Sequence, residues 1–299
     1  MHDKKVAPFI SDSSDYEAYL LGVISVAAFA LTLPAAKVLV TDLSAMQIGF
    51  FRSFLAALLA LPILLIAKVS MPSASQIKRL FLTSTGIIYG FPILTALGMQ
   101  YVPISHGGVL LAALPICTSI FGTIITGTRP SWIFWLVSFL GFITVLIYTV
   151  LKSGASGVYW GDLALVGAVI LAGYGYAQGG ALSKEMPGWQ VMCWTLVINL
   201  PLLLPASIYL FDFGQIAQLQ VNGYIALGFL AFVNSLLGFF SWNRALSLGG
   251  IQRISQLQLL QPFFTIAFSV LLMGEVLDLL TVAFCIVVIA LVWLSKRVG

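Results

Sequence analysis

Charge is what this chain has least of. Only 8% of its 299 residues are Asp, Glu, Lys or Arg while 60% are apolar, against about 25% and roughly 45–50% in soluble domains. So few charges cannot clothe a water-soluble surface, and lipid is the expected solvent for most of the chain. Cysteine is scarce too: Cys117, Cys193 and Cys285 all fall in apolar runs, with no paired spacing of a zinc site or redox motif. No metal and no cofactor are expected. The signatures of membrane-embedded catalysis are missing as well: no HExxH, no GxSxG, no paired intramembrane carboxylates. A channel would favour charged rings or a backbone filter loop, and neither is visible. No soluble domain, nucleotide-binding module or nucleic-acid surface fits between the apolar runs.

What remains is apolar length. A helix needs about 20 apolar residues to cross a bilayer, and ten such segments can be read: approximately 17–38, 44–67, 79–100, 104–126, 131–151, 159–182, 189–211, 222–245, 252–273 and 277–295. These runs are continuous, unlike the alternating strands of an outer-membrane barrel. Residues 1–16 carry Asp3, Asp12 and Asp15 and lack the basic start and cleavage site of a signal peptide, so this tail is expected to be retained. Placing the N-terminus inside puts eleven of the fourteen Lys and Arg on the cytoplasmic side, leaving Lys37 and Lys152 outside and Arg52 within a span. By the positive-inside rule both termini are then cytoplasmic, in a bacterial inner membrane. Trp132, Trp135, Trp160, Trp189 and Trp293 suit the interfacial aromatic belt.

The chain also looks doubled. Pro115 precedes Gly127 by twelve residues and Pro262 precedes Gly274 by the same interval, each pair late in one half. Gly22 to Phe29 resembles Gly167 to Tyr174, and ALP at Ala60 to Pro62 matches LLP at Leu203 to Pro205. The halves divide at a KSGASG linker, giving a first repeat over 17–151, a linker over 152–158 and a second repeat over 159–297. Five helices per half make the repeats inverted. Repeats with interrupted helices are a common way to build a central substrate site. The expected fold is therefore an all-α integral membrane protein of ten transmembrane helices, two inverted five-helix repeats around a central cavity.

Particular runs carry a resemblance. Arg52 in FFRSFLAALLALP, ALGMQYVPISHGGVLLAALP leading into Pro115, ALSLGGIQRISQLQLLQP leading into Pro262, and Gly274 with Glu275 resemble the drug/metabolite transporter superfamily. Within it the chain is similar to the ten-span exporters built from two EamA-type repeats. The resemblance covers about residues 17–297 and implies secondary transport, commonly efflux of amino acids or other metabolites, with the bacterial aromatic amino acid exporters as neighbours. Members often carry Gly-Glu in both halves, whereas this chain has Gly127 and Thr128 in the first.

Polar residues inside the spans supply the site expectation. Ser255, Gln258, Gln261 and Thr265 recur every three to four residues, which places them on one face of a helix. Such faces turn to the bundle interior or to a watery cavity, or hold a neighbouring helix. At similar depth stand Tyr89, Tyr174, Asn199 and Asn234. Aromatic walls with a few amides suit a small amphipathic solute, so these eight are the expected substrate contacts. Arg52 is the one formal charge well inside a span. It either attracts a substrate carboxylate or bonds polar groups of a neighbouring helix. His106, an imidazole and so able to carry a proton, is the candidate for proton coupling, since no Asp or Glu sits deep in any span. Glycines at 86, 90, 175 and 179 suggest close helix approach. The expected partners are a small-molecule substrate and the bilayer, with a monomer plausible.

Overall fold

A computed structural model of the protein describes residues 12–153, 159–273 and 279–298. Among them every regular element is helical. The order is α1 (Asp12–Ala30), α2 (Thr32–Leu39), α3 (Ala45–Ile66), α4 (Ala74–Ser84), a π-helical segment (Thr85–Gly90), α5 (Phe91–Tyr101), α6 (Ile104–Leu111), α7 (Leu114–Thr126) and α8 (Trp132–Ser153). The second half continues with α9 (Trp160–Leu182), α10 (Gly188–Val197), α11 (Leu200–Tyr209), α12 (Phe213–Ala217), α13 (Val221–Gly228), a second π segment (Phe229–Leu237), α14 (Gly238–Gly249), α15 (Ile251–Ser255), a 3-10 turn (Gln256–Leu260), α16 (Gln261–Met273) and α17 (Leu279–Val298).

Eight helices among the described residues are long and apolar enough to cross a membrane, and α10 with α11, bent by 52° at their junction, make a ninth if the pair is counted as one span. The run expected as a ninth single span, 252–273, is broken into α15, the 3-10 turn and α16. The described residues thus give eight or nine such crossings beside the expected ten. Gly274 and Glu275, and most of the 152–158 linker, lie outside the described residues.

Proline explains several interruptions. A proline in a helix leaves the carbonyl four residues earlier without its donor, and in lipid that carbonyl must find another. Pro34 frees the Ala30 carbonyl, which accepts instead from Thr265 Oγ1 at 2.8 Å. Pro92 frees the Ile88 carbonyl, which accepts from Ser53 Oγ at 3.1 Å. Pro115 and Pro262 stand at equivalent second positions of α7 and α16, where a missing N–H costs nothing. The turn at Gly127 takes the left-handed conformation, with φ of 68°.

Packing follows the same doubling. The first repeat's α1 lies on α14, just as the second repeat's α9 lies on α4, the first π segment and α5; α16 lies on α1, just as α7 lies on α9. Two further pairings, α3 with α10 and α11 and α8 with α17, map onto themselves under the exchange. The closest approach is backbone to backbone. A Cβ on Gly86 would come within 2.2 Å of the Leu171 carbonyl, and one on Gly175 would meet Ile87 at 2.7 Å. Large apolar side chains left exposed on α8 and α17, such as Phe139, Leu279 and Ile286, supply a lipid-facing surface. Trp132, Trp160 and Trp293 are also exposed, near helix ends.

Between α1, α9 and α14 sits an aromatic cluster. Phe29 stacks on Tyr176 with centroids 6.2 Å apart and meets Phe239 at 5.2 Å and Trp242 at 5.9 Å. Trp242 is fully buried.

Candidate functional site: a cavity between the repeats

A cavity of about 460 Å³ opens between the α1/α2 junction, α6, α8 and the start of α16. Its size lies in the range of small-ligand pockets, about 300–1,000 Å³. One wall is Ile104, Gly108 and Leu111, spaced four and three along α6; the facing wall is Gln258, Gln261, Thr265 and Ile266. Pro34 and Leu33 close it on the α2 side, and Tyr148 and Thr149 on the α8 side. Among the described residues no Asp, Glu, Lys or Arg lines it.

The fourth and ninth segments therefore diverge like a V. At one end α7 packs against α15 and the 3-10 turn. A polar seam closes that end. Ser119 and Ser255 hydroxyls lie 3.0 Å apart, Gln256 Nε2 donates to Ser119 Oγ at 3.2 Å, and Gln252 Nε2 donates to Thr128 Oγ1 at 2.6 Å. At the other end α6 and α16 stand on opposite walls with the cavity between them.

Three of the four residues on the expected polar face meet the cavity. Gln261 Nε2 donates to the Phe29 carbonyl at 3.1 Å, so with Thr265 it both lines the space and satisfies the broken first helix. Gln258 is 3% exposed and its Oε1 has no hydrogen-bond partner. A buried carbonyl oxygen without a donor costs about 1–3 kcal/mol, and a solute N–H or O–H entering the cavity would remove that cost. Ser255 instead faces α7, in the seam.

The other expected contacts form separate networks. Asn199 Oδ1 accepts from Tyr89 Oη at 2.9 Å and from Ser84 Oγ at 3.3 Å, tying the bend of the seventh segment to the first π segment. Arg52, 3% exposed, donates to Asn234 Oδ1 at 2.5 Å and to Ser235 Oγ at 2.7 and 2.9 Å, and Asn234 Nδ2 passes on to Thr32 Oγ1 at 2.7 Å. Thus α3 is latched to the second π segment much as the α10/α11 bend is latched to the first. Tyr174 packs edge-on to Phe121 at 5.5 Å and accepts from Gln178 Nε2 at 3.3 Å. None of these five lines the cavity. His106 Nε2 meets Asp162 Oδ1 at 2.7 Å, on the opposite face of α6 from the cavity wall.

Sequence reasoning missed Tyr148, Thr149 and Asp162. The first two lie late in a featureless apolar run, and only their place on the cavity wall shows their side. Asp162 was legible as an acid in the first turn of a span, but nothing local names its partner.

At the end of the bundle holding the seam, ion pairs among the described residues join helix ends: Arg79 with Glu185, Arg244 with Glu17 at 3.2 Å, and Lys296 with Asp15 at 3.2 Å. Glu185 lies between α9 and α10, and the hydrogen bond from Arg79 holds its carboxyl below the usual glutamate range. Among the described residues no cluster of His, Cys, Asp and Glu could hold a metal ion.

A multi-pass bundle of apolar helices, interrupted by proline and doubled in its packing, with a solute-sized cavity among the interruptions, defines the class of membrane transporters. The comparison with known proteins is specific. The chain belongs to the EamA-like transporter family, whose pattern it matches twice, over residues 17–150 and 159–296, within the drug/metabolite transporter superfamily. It is 34% identical over 279 residues to Uncharacterized transporter YdeK of Bacillus subtilis (strain 168), covering 93% of this chain and 96% of that one. It is 26% identical over 249 residues to Uncharacterized transporter YyaM of the same organism, covering 80% of each. A solved crystal structure shares the fold at a TM-score of 0.72 with 12% identity, over 94% of this chain and 99% of that one. The protein is thus a transporter and not an enzyme.

Proposed function

We propose that the protein exports small, neutral, amphipathic metabolites, amino acids among them, by alternating access. The observation that carries this reading is the V formed by the fourth and ninth segments, parted over the cavity and sealed at the Ser119–Ser255 seam. In an inverted pair of repeats, each arrangement on one face has a counterpart on the other. Parting the seam while α6 approaches α16 would hand the cavity to the opposite face. With the N-terminus cytoplasmic, in a bacterial inner membrane, the cavity faces outward. Repeats over 17–151 and 159–297 are the units that would rock.

The wall chemistry supports the substrate class. Among the described residues the wall carries apolar side chains with a few hydroxyls and amides and no charge, which favours a solute of zero net charge that offers a donor to Gln258. Arg52, committed to Asn234 and Ser235, acts in this reading as a brace between helices. The reading is tested by uptake into proteoliposomes of labelled phenylalanine, leucine, lysine and glutamate, a nucleobase and a cationic dye, with empty liposomes as control. Saturable flux of phenylalanine or leucine, weakened by Gln258→Leu, is expected. Flux of dye or nucleobase alone would keep the carrier and move the substrate; no flux of any would overturn the reading.

A further inference from the structure

We propose that His106 and Asp162 form a proton-binding latch that holds the cavity open, so that a proton is the coupling or regulating ion of this transporter. The inference rests on the transport reading above and names the ion that acts on the same cavity.

The short helix α6 is the movable wall. It has eight residues, begins after Pro103 and ends at the Ala112–Ala113 turn before Pro115. Ile104, Gly108 and Leu111 face the cavity. His106, two residues from both Ile104 and Gly108, points to the other side and is fastened to the first turn of α9 through Asp162. The side chains of the pair are 12% and 17% exposed. Asp162 Oδ2 also accepts from the Tyr159 backbone N–H at 2.9 Å, which fixes the carboxylate. The Tyr159 ring lies edge-on to the imidazole at 4.8 Å.

An ionised carboxylate only accepts, so Nε2 carries the donated hydrogen. His106 Nδ1 is buried with no partner, and it is the atom left to take a proton. With the proton on, imidazolium and carboxylate cancel, and the attraction of two opposite charges is added to a hydrogen bond that the carboxylate already strengthens. With the proton off, one negative charge stays uncompensated at the wall of an apolar bundle. Other charged or titratable groups around α6 are few. From α2, Lys37 Nζ donates to the Met99 and Val102 carbonyls at 2.7 and 3.0 Å, capping α5 rather than meeting the pair. From α5, Tyr101 is exposed. From α8, Tyr148 pairs with Thr281 at 3.0 Å, while the side chain of Lys152 lies outside the described residues. A proton therefore strengthens the hold of α9 on α6, keeping α6 away from α16; its loss lets α6 swing inward.

The test needs no solute. A thiol at Gly108→Cys, in a background lacking Cys117, Cys193 and Cys285, fits the wall, since a Cβ there meets nothing within 4 Å. Its rate of reaction with a water-soluble maleimide reports whether the cavity is open. The rate is divided by that of the same thiol carrying His106→Gln, which keeps a donor to Asp162 without titrating and removes the thiol's own pH dependence. The ratio is expected to be about fivefold higher at about pH 5 than at about pH 8, the low end of coupling between linked sites and across the histidine range. A ratio that does not change with pH would overturn the latch and leave the transport reading standing, while absent solute flux with a normal ratio would do the reverse.

Discussion

The Thr265 hydroxyl stands in for a hydrogen bond that Pro34 deletes, and that substitution of one donor for another can be measured. Thr265→Val keeps the shape and removes the donor to the Ala30 carbonyl at 2.8 Å. Orphaning a buried acceptor costs about 1–3 kcal/mol, but side-chain bonds between membrane helices average about 0.6 and reach about 1.7 kcal/mol. Here the hydroxyl is also 3.2 Å from the Gln261 carbonyl of its own helix, which dilutes its value to Ala30. A loss of about 1 kcal/mol is therefore expected. The decisive step is to repeat the change in a Pro34→Ala background. Alanine at 34 supplies its own backbone N–H to Ala30, so Thr265→Val should then cost about 0.8 kcal/mol less, above the roughly 0.3–0.5 kcal/mol scatter of independent sites. The assay is a double-mutant cycle by equilibrium unfolding in mixed detergent micelles. Equal costs in both backgrounds would refute the account of the α1/α2 break.

Arg52→Gln should lower stability by about 2–3 kcal/mol, since it removes charge-assisted bonds to Asn234 and Ser235; thermal unfolding in detergent reads it, and the accompanying loss of transport should not depend on substrate charge. Gly86→Ala should destabilise by about 1–3 kcal/mol, because its methyl would lie 2.2 Å from the Leu171 carbonyl, whereas Gly108→Ala meets nothing within 4 Å and should change unfolding little. The Arg79–Glu185 pair should contribute fully above the ordinary glutamate value of about 4.3 and fade as pH falls through the lower value of the folded state. Both partners are partly exposed, so the loss is under about 1 kcal/mol, read as the difference in stability between wild type and Glu185→Gln across acid pH.

Composition and run length made the membrane class readable, because apolar length has a direct physical meaning in a bilayer. The doubling was readable from Pro115 and Pro262, since both stand in the first turn of a helix, where a proline is readily accommodated. The broken segments were harder. A 3.6-residue period placed Ser255, Gln258, Gln261 and Thr265 on one face, but the 3-10 turn from Gln256 to Leu260 advances at about three residues per turn and shifts the phase, turning Ser255 to the seam and Gln258 to the cavity. Depth along a span fixes height and not direction. Tyr89 and Asn199 therefore share a level with Gln261 yet bond one another across a different helix pair. The partner of Arg52 could not be found from sequence for the same reason: Asn234 and Ser235 are brought to it by a π segment that no local pattern announces.

Alternating access requires the seam between α7 and α15 to part in every cycle, and that requirement is the most direct point of attack. Ser119 and Ser255 are both fully buried with hydroxyls 3.0 Å apart, close enough for thiols at those positions to join with little movement. The measurement is flux through Ser119→Cys/Ser255→Cys in a background lacking Cys117, Cys193 and Cys285, before oxidation, after it, and after reduction. The account predicts that the disulfide stops flux and that reduction restores it. Undiminished flux through fully cross-linked protein would contradict it.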